Sequence, residues 1–231
     1  MTMKTVWNDI LNFIFPHLCV ICKNKLTEAE RHICLDCLLE LPKTNNWNEQ
    51  DNKLEQFFAG RFPFERIASF AHFVKGGSIQ QIIHEMKYKN NPEMGLFIGE
   101  LCGDELAESG FIRGIDYIVP VPLHPKRHKQ RGYNQSLEIA KGIAGKTGLP
   151  IDSDTLVRTV NNKSQTKNSR FDRWKNVENI FTVTNSEMFK RKHILLIDDV
   201  VTTGSTLESC AKEILKCHAS KLSILALASA D

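Results

Sequence analysis

Continuous apolar runs and regular apolar spacing divide the chain into strands and helices. Ile194-Leu195-Leu196-Ile197 is an unbroken branched-aliphatic run, the pattern of a strand buried on both faces of a parallel sheet. Residues 116–121 (DYIVPV) and 221–228 carry the same texture, and residues 67–73 (IASFAHF) alternate like a strand before a Gly76-Gly77 turn. Shorter strand texture appears at residues 155–158 and again at 180–183. Between these lie helical spacings. Ile79, Ile82, Ile83 and Met86 share one face of a helix over 78–87 that Ser78 can cap. Leu96, Ile98, Leu101, Cys102 and Leu106 mark a helix over 92–108, and a third runs over 135–147 until Gly148 and Pro150 stop it. Leu207, Cys210, Ala211, Ile214, Leu215 and His218 form a fourth helical face. Strands alternating with helices predict an α/β domain, a mostly parallel central sheet flanked by helices.

The two ends of this pattern differ from its middle. Trp7, Ile10, Leu11, Ile14 and Phe15 fall on one face of a short helix ended by Pro16, suited to docking on the next segment or on a membrane surface. Residues 43–56, KTNNWNEQDNKLEQ, are polar without apolar period and read as a linker. The chain thus divides into an N-terminal helix and cysteine segment (1–50), a joining segment (51–65) and a large domain (66–231), each folded part burying its own core.

Composition narrows the class. The 231 residues are 42% hydrophobic and 25% charged, as in a soluble globular protein, which excludes fibrous and disordered classes. A formal charge of +3 is too mild to demand a nucleic-acid partner. No apolar run approaches the ~20 residues of a membrane span. The first residues hold one lysine and an apolar stretch broken by Asn12, unlike a signal peptide. A cytoplasmic location follows as the expectation, with the seven cysteines reduced.

Three stretches carry chemistry. Cys19-x-x-Cys22 and Cys34-x-x-Cys37 offer four thiolates in two close couples, the way a tetrahedral structural zinc site is assembled. A redox pair would need one couple only, and disulfides conflict with a reducing compartment. Asp198 and Asp199 end the buried strand, and Thr202-Thr203-Gly204-Ser205-Thr206 follows as a hydroxyl-rich turn opening a helix. Such a helix start suits a phosphate, and the paired acids suit a ribose diol, directly or through a metal ion. A capping turn with no ligand is the plainer reading of the same residues. Residues 122–135, PLHPKRHKQRGYNQ, form a basic loop at another strand end, where ligands of open α/β sheets bind. Lys126, Arg127 and Arg131 there suit pyrophosphate or nucleic-acid phosphates, or form a solvated face. The polar, basic residues 159–179 read as a long loop of the kind that serves as a lid. Aromatics interleave with its cations and with the basic loop (Tyr133, Phe171, Trp174), which suits single-stranded bases.

Residues 194–206, ILLIDDVVTTGST, resemble the phosphoribosyl pyrophosphate (PRPP) signature of type I phosphoribosyltransferases at all thirteen positions. With the four-cysteine segment, IIHEMKYK, VPVPLHPKRHKQRGYNQS and SQTKNSRFDRWKNVENIF, the chain resembles the ComF family of competence-associated, phosphoribosyltransferase-like proteins over residues 16–228. The resemblance implies a type I phosphoribosyltransferase fold with an N-terminal zinc ribbon and a role in DNA uptake or use. It implies PRPP with magnesium at Asp198, Asp199 and residues 202–206, pyrophosphate at Lys126, Arg127 and Arg131, and a lid with Gln165, Arg173, Trp174 and Asn176. Phe181 matches the end of the lid element, and Asn134 and Gln135 match the RGYNQ element. Single-stranded DNA and a competence helicase or translocation protein are the implied partners, and binding of DNA without catalysis is the rival reading. No stretch reads as the pocket of an acceptor base.

Overall fold

The computed structural model describes residues 16–159 and 180–230. The expected docking helix and the lid residues Gln165, Phe171, Arg173, Trp174 and Asn176 lie outside that range. Among the described residues, no helix is long and apolar enough to cross a membrane.

Four strands form one parallel sheet in the order β1 (Arg66–His72), β6 (Lys221–Ser229), β5 (His193–Val201), β2 (Tyr117–Pro120). Successive side chains point to opposite faces, so one apolar strand feeds two cores. Leu195 and Ile197 join Phe70, Leu225 and Leu227 under α3 (Ser78–Tyr88), α4 (Pro92–Ser109) and α6 (Gln135–Thr147). Ile194 and Leu196 join Ile67 and Ile224 under α7 (Ser205–Lys216). β3 (Leu156–Arg158) and β4 (Phe181–Val183) pair antiparallel in a separate two-stranded ribbon rather than extending the sheet. The C-terminal strand β6 lies inside the sheet, between β1 and β5.

Helices α4 and α6 approach closely because glycines remove the side chains between them. Gly95, Gly99 and Gly103 recur every four residues along α4, and Gly142 faces them from α6. A Cβ on Gly142 would lie 2.2 Å from Leu96 O and 2.5 Å from Glu100 N, both backbone atoms that cannot turn aside. We expect Gly142→Ala to cost on the order of 3 kcal/mol, as overpacking does. At ~2–4 °C per kcal/mol for a chain of this size, melting should fall by roughly 6–12 °C. Gly145→Ala, one turn away with nothing within 4 Å, should instead raise it slightly, by helix propensity. Calorimetric melting of the two variants checks both signs.

The cysteine segment does not bury a core of its own. Cys19, Val20, Leu26 and Ile33 belong to the same apolar cluster as Phe97 and Ile98 of α4. The His32 ring stacks 5.4 Å from that of Phe97, and Arg31 pairs with Glu100. Behind α1 (Leu35–Leu39), residues 42–44 run along the free edge of β1, where Thr44 N donates to Phe70 O and His72 N donates to Pro42 O. Trp47 is buried, and its Nε1 donates to Glu105 Oε2 at 2.8 Å.

The stretch read as a linker is therefore packed structure. It holds a short 3₁₀ turn (Asn46–Asn48) and helix α2 (Lys53–Phe58). Asn52 caps α2 by accepting from Leu54 N and Glu55 N. Glu55, buried though charged, accepts from Arg66 Nε at 3.1 Å and Ile67 N at 3.0 Å. Its charge made the segment read as solvated, but tertiary partners satisfy it.

Candidate functional site

The carboxyl ends of β2 and β5 lie side by side, yet their chains lead to opposite faces, β2 by way of residues 125–131 to α6 and β5 to α7. Such a divergence opens a crevice at the strand ends. Asp198 and Asp199 stand at its floor. Asp198 Oδ1 accepts from Ser136 Oγ at 3.2 Å and from Asp199 N at 2.8 Å. Burial, and after it the charge of Asp199, push the Asp198 carboxyl up to about 7. Asp199 is held differently: its Oδ2 pairs with Lys87 Nζ at 2.8 Å.

Lys87, at the end of α3, is a site residue that sequence reasoning passed over. It was legible only as the last lysine but one of IIHEMKYK, because its partner comes from a distant strand. The RGYNQ residues hold it there. Tyr133 Oη and Gln135 Nε2 both donate to Met86 O, the carbonyl next to Lys87. Arg131 Nη1 donates to Gln135 Oε1 at 2.8 Å, and Asn134 both caps α6 at Ser136 N and donates to Val121 O. Tyr133 is thus a half-buried strut with its hydroxyl engaged.

The basic loop is a helix, α5 (Pro125–Arg131), with Pro125 in its first turn and His124 Nδ1 accepting from Lys126 N. A cleft of about 730 Å³ opens beside it, lined by Lys87, Tyr88, Arg127, Lys129 and Arg131 among others. Arg127 and Arg131 line it; Lys126, exposed on the same helix, does not. Lys87 therefore joins the acid pair to the cationic cleft.

The turn after β5 has the backbone its sequence requires. Gly204 is left-handed at φ +71°, and a Cβ there would meet Phe58 Cε1 at 2.6 Å. Thr202, Thr203, Ser205 and Thr206 are exposed around it, with Thr203 Oγ1 and Ser205 Oγ 3.0 Å apart. The joining segment supports this turn from behind. Arg61 Nη1 donates to Thr203 O at 2.9 Å while its guanidinium lies 4.1 Å from the Phe57 ring centre. The signal in the sequence was the aromatic density of FFAGRFPF, residues 57–64.

At the other end of the chain the Sγ atoms of Cys19, Cys22, Cys34 and Cys37 lie within 4.8 Å of one another. Zinc–thiolate bonds of ~2.3 Å in a tetrahedron need sulfurs just under 4 Å apart, so this donor set fits zinc. Lys23, at φ +64°, folds the first knuckle back so that Cys19 N donates to Asn24 O. Cys34 caps α1 in the second. Cys102, Cys210 and Cys217 are buried singly in the cores.

Parallel sheet, two helical faces, and acid pair followed by a glycine turn define a type I phosphoribosyltransferase-like protein. A model of the phosphoribosyl transferase domain matches residues 134–230. The DNA utilization protein YhgH of Escherichia coli (strain K12) is 26% identical over 213 residues, 91% of this chain and 89% of that one. Competence protein F of Haemophilus influenzae is 24% identical, covering 96% of this chain and 100% of its own. Competence protein ComFC of Bacillus subtilis is 34% identical across 43% of this chain and 38% of its own. Among solved structures, glutamine PRPP amidotransferase from B. subtilis superposes on 62% of this chain and 30% of its own, with a TM-score of 0.45 and 18% identity. These likenesses support a phosphoribosyltransferase-like protein similar to the competence-associated ComF proteins.

Proposed function

We propose that the protein binds PRPP together with magnesium in the crevice between β2 and β5, in the service of DNA uptake or use. The observation that carries this reading is the placement of Asp198 and Asp199 between the glycine turn and a cationic cleft, with Lys87 linking the two. Residues 202–206 would take the 5-phosphate, the acid pair the ribose hydroxyls, and Lys87, Arg127 and Arg131 the pyrophosphate. Asp198 and Asp199 would hold magnesium, which would supply charge neutralisation for the leaving pyrophosphate. If an acceptor is present, the nucleophile displaces pyrophosphate at C1, and the cations of the cleft stabilise the charge on the leaving group. Lid closure over the site by residues 159–179 is part of the same reading.

Exposure of Lys126, Arg127, His128 and Lys129 on one short helix supports a second reading, a single-stranded DNA binder that keeps the fold without turnover. A competence helicase or translocation protein would then be its partner. One thermal-shift series separates the two, because a ligand at 100 times its Kd stabilises by about 2.7 kcal/mol. PRPP with magnesium should raise the melting temperature, and PRPP with a chelator should do so far less. An unchanged melting temperature with PRPP and magnesium, alongside a clear rise with oligonucleotide, would leave the second reading in its place.

A further inference from the structure

Tyr88 and His84 sit four residues apart on the exposed side of α3, with ring centres 5.0 Å apart. Tyr88 is 65% exposed, although a tyrosine this far into water forgoes the burial its ring favours. The Arg131 guanidinium lies 5.6 Å from its ring centre, and Tyr88 lines the 730 Å³ cleft with Lys87, Arg127 and Lys129. Among the described residues, no acidic side chain lines that cleft. His84, on the far side of the pair, lines a second hollow of about 440 Å³ with Lys89 and, from the first cysteine knuckle, Val20 and Lys23. The tilted ring pair, its planes at 43°, therefore stands between two hollows with cations on both sides. Glu85 is the one acid among the described residues that line the second hollow.

We infer that Tyr88, backed by His84, is a stacking platform for a base of single-stranded nucleic acid, whose phosphates run along Arg127, Lys129 and Arg131. The inference rests on the DNA reading above and adds the residue that would hold the base. The chemistry is that of strand-binding grooves generally: cations follow the backbone while an exposed ring accepts any base, since every base offers a flat face. A phosphorylated small molecule would use the cations and leave Tyr88 idle. A strand passing over the platform reaches both hollows and so touches the cysteine ribbon, which gives that ribbon a place in the same surface.

Fluorescence anisotropy of the full-length protein with a labelled oligothymidylate tests this, with an abasic oligomer of equal length as the second probe. Tyr88→Ala should weaken oligothymidylate binding roughly 5- to 150-fold, the range of one lost base stack, while leaving the salt slope unchanged. Tyr88→Phe should retain binding, and the abasic oligomer should bind wild type no better than oligothymidylate binds Tyr88→Ala. Arg127→Ala and Lys129→Ala should each lower the salt slope, by about 0.7 for each phosphate no longer neutralised. Tight wild-type binding with the arginine and lysine effects present, but Tyr88→Ala at full affinity, overturns the platform and leaves the DNA reading standing. Absence of any oligonucleotide binding by wild type overturns both.

Discussion

Purified under reducing conditions, the protein should carry one zinc ion per chain, and Cys34→Ser should lose it and melt at a markedly lower temperature. Four thiolates within 4.8 Å of one another would repel as anions, so ionising all four together calls for a cation. Apparent zinc binding to such sites is worth about 10–16 kcal/mol at neutral pH, far more than a ribbon this small gains by folding. Had the ribbon buried its own core, the damage would stop there. It does not, because Val20, Leu26 and Ile33 share one apolar cluster with Phe97 of α4. Uncovering four such side chains at roughly 1.5–3 kcal/mol each puts about 6 kcal/mol or more at stake. That corresponds to a fall of roughly 12–24 °C in melting temperature. Elemental analysis finding no zinc, or a chelator-treated sample melting with the untreated one, would refute the assignment. Disulfides would show instead as an absence of free thiols at these four positions.

The sheet was legible because its strands are buried on both faces and so read as unbroken apolar runs. β5 and β6 could hardly be anything else, and α6 occupies the very range its apolar spacing and Gly148 stop predict. Legibility failed where charge is satisfied in three dimensions. Glu55 and Asn52 gave residues 43–56 the look of a linker, yet both are buried and spend their polarity on α2 and β1. The same happened in residues 125–131, where five basic side chains disguised a helix.

In the candidate site, short-range chemistry was readable and long-range pairing was not. The acid pair and the Gly204 turn are contiguous, so their juxtaposition follows from one strand ending. Lys87 reaches Asp199 only because Tyr133 and Gln135 bind Met86 O, a coincidence of three segments with no periodic trace. Likewise Phe57, Phe58 and Arg61 buttress the turn from residues 51–65, which the domain division had assigned to joining.

Asp198→Asn and Asp199→Asn should both abolish magnesium-dependent PRPP binding, yet they should shift stability in opposite directions. Asp198 is lifted to about 7, first by burial and next by Asp199. Between roughly pH 4 and 7 the folded protein therefore keeps a proton that the unfolded chain has released. More protons bound in the folded state mean that stability falls as pH rises through that window, and the fall ends near pH 7. Asparagine at 198 removes this slope, so the variant should gain stability over wild type above neutrality. Metal needs the ionised pair, so wild-type PRPP affinity should climb as pH rises toward 7 and then level off. Asparagine at 199 instead strands Lys87, whose side chain is 20% exposed, at a cost on the order of 1–3 kcal/mol. Adding Lys87→Met should restore that stability without restoring PRPP binding. Calorimetric titration and melting across pH 5–9 read both quantities on the same samples. Equal PRPP affinity in Asp198→Asn, Asp199→Asn and wild type would remove the acid pair from the site, whatever the melting curves show.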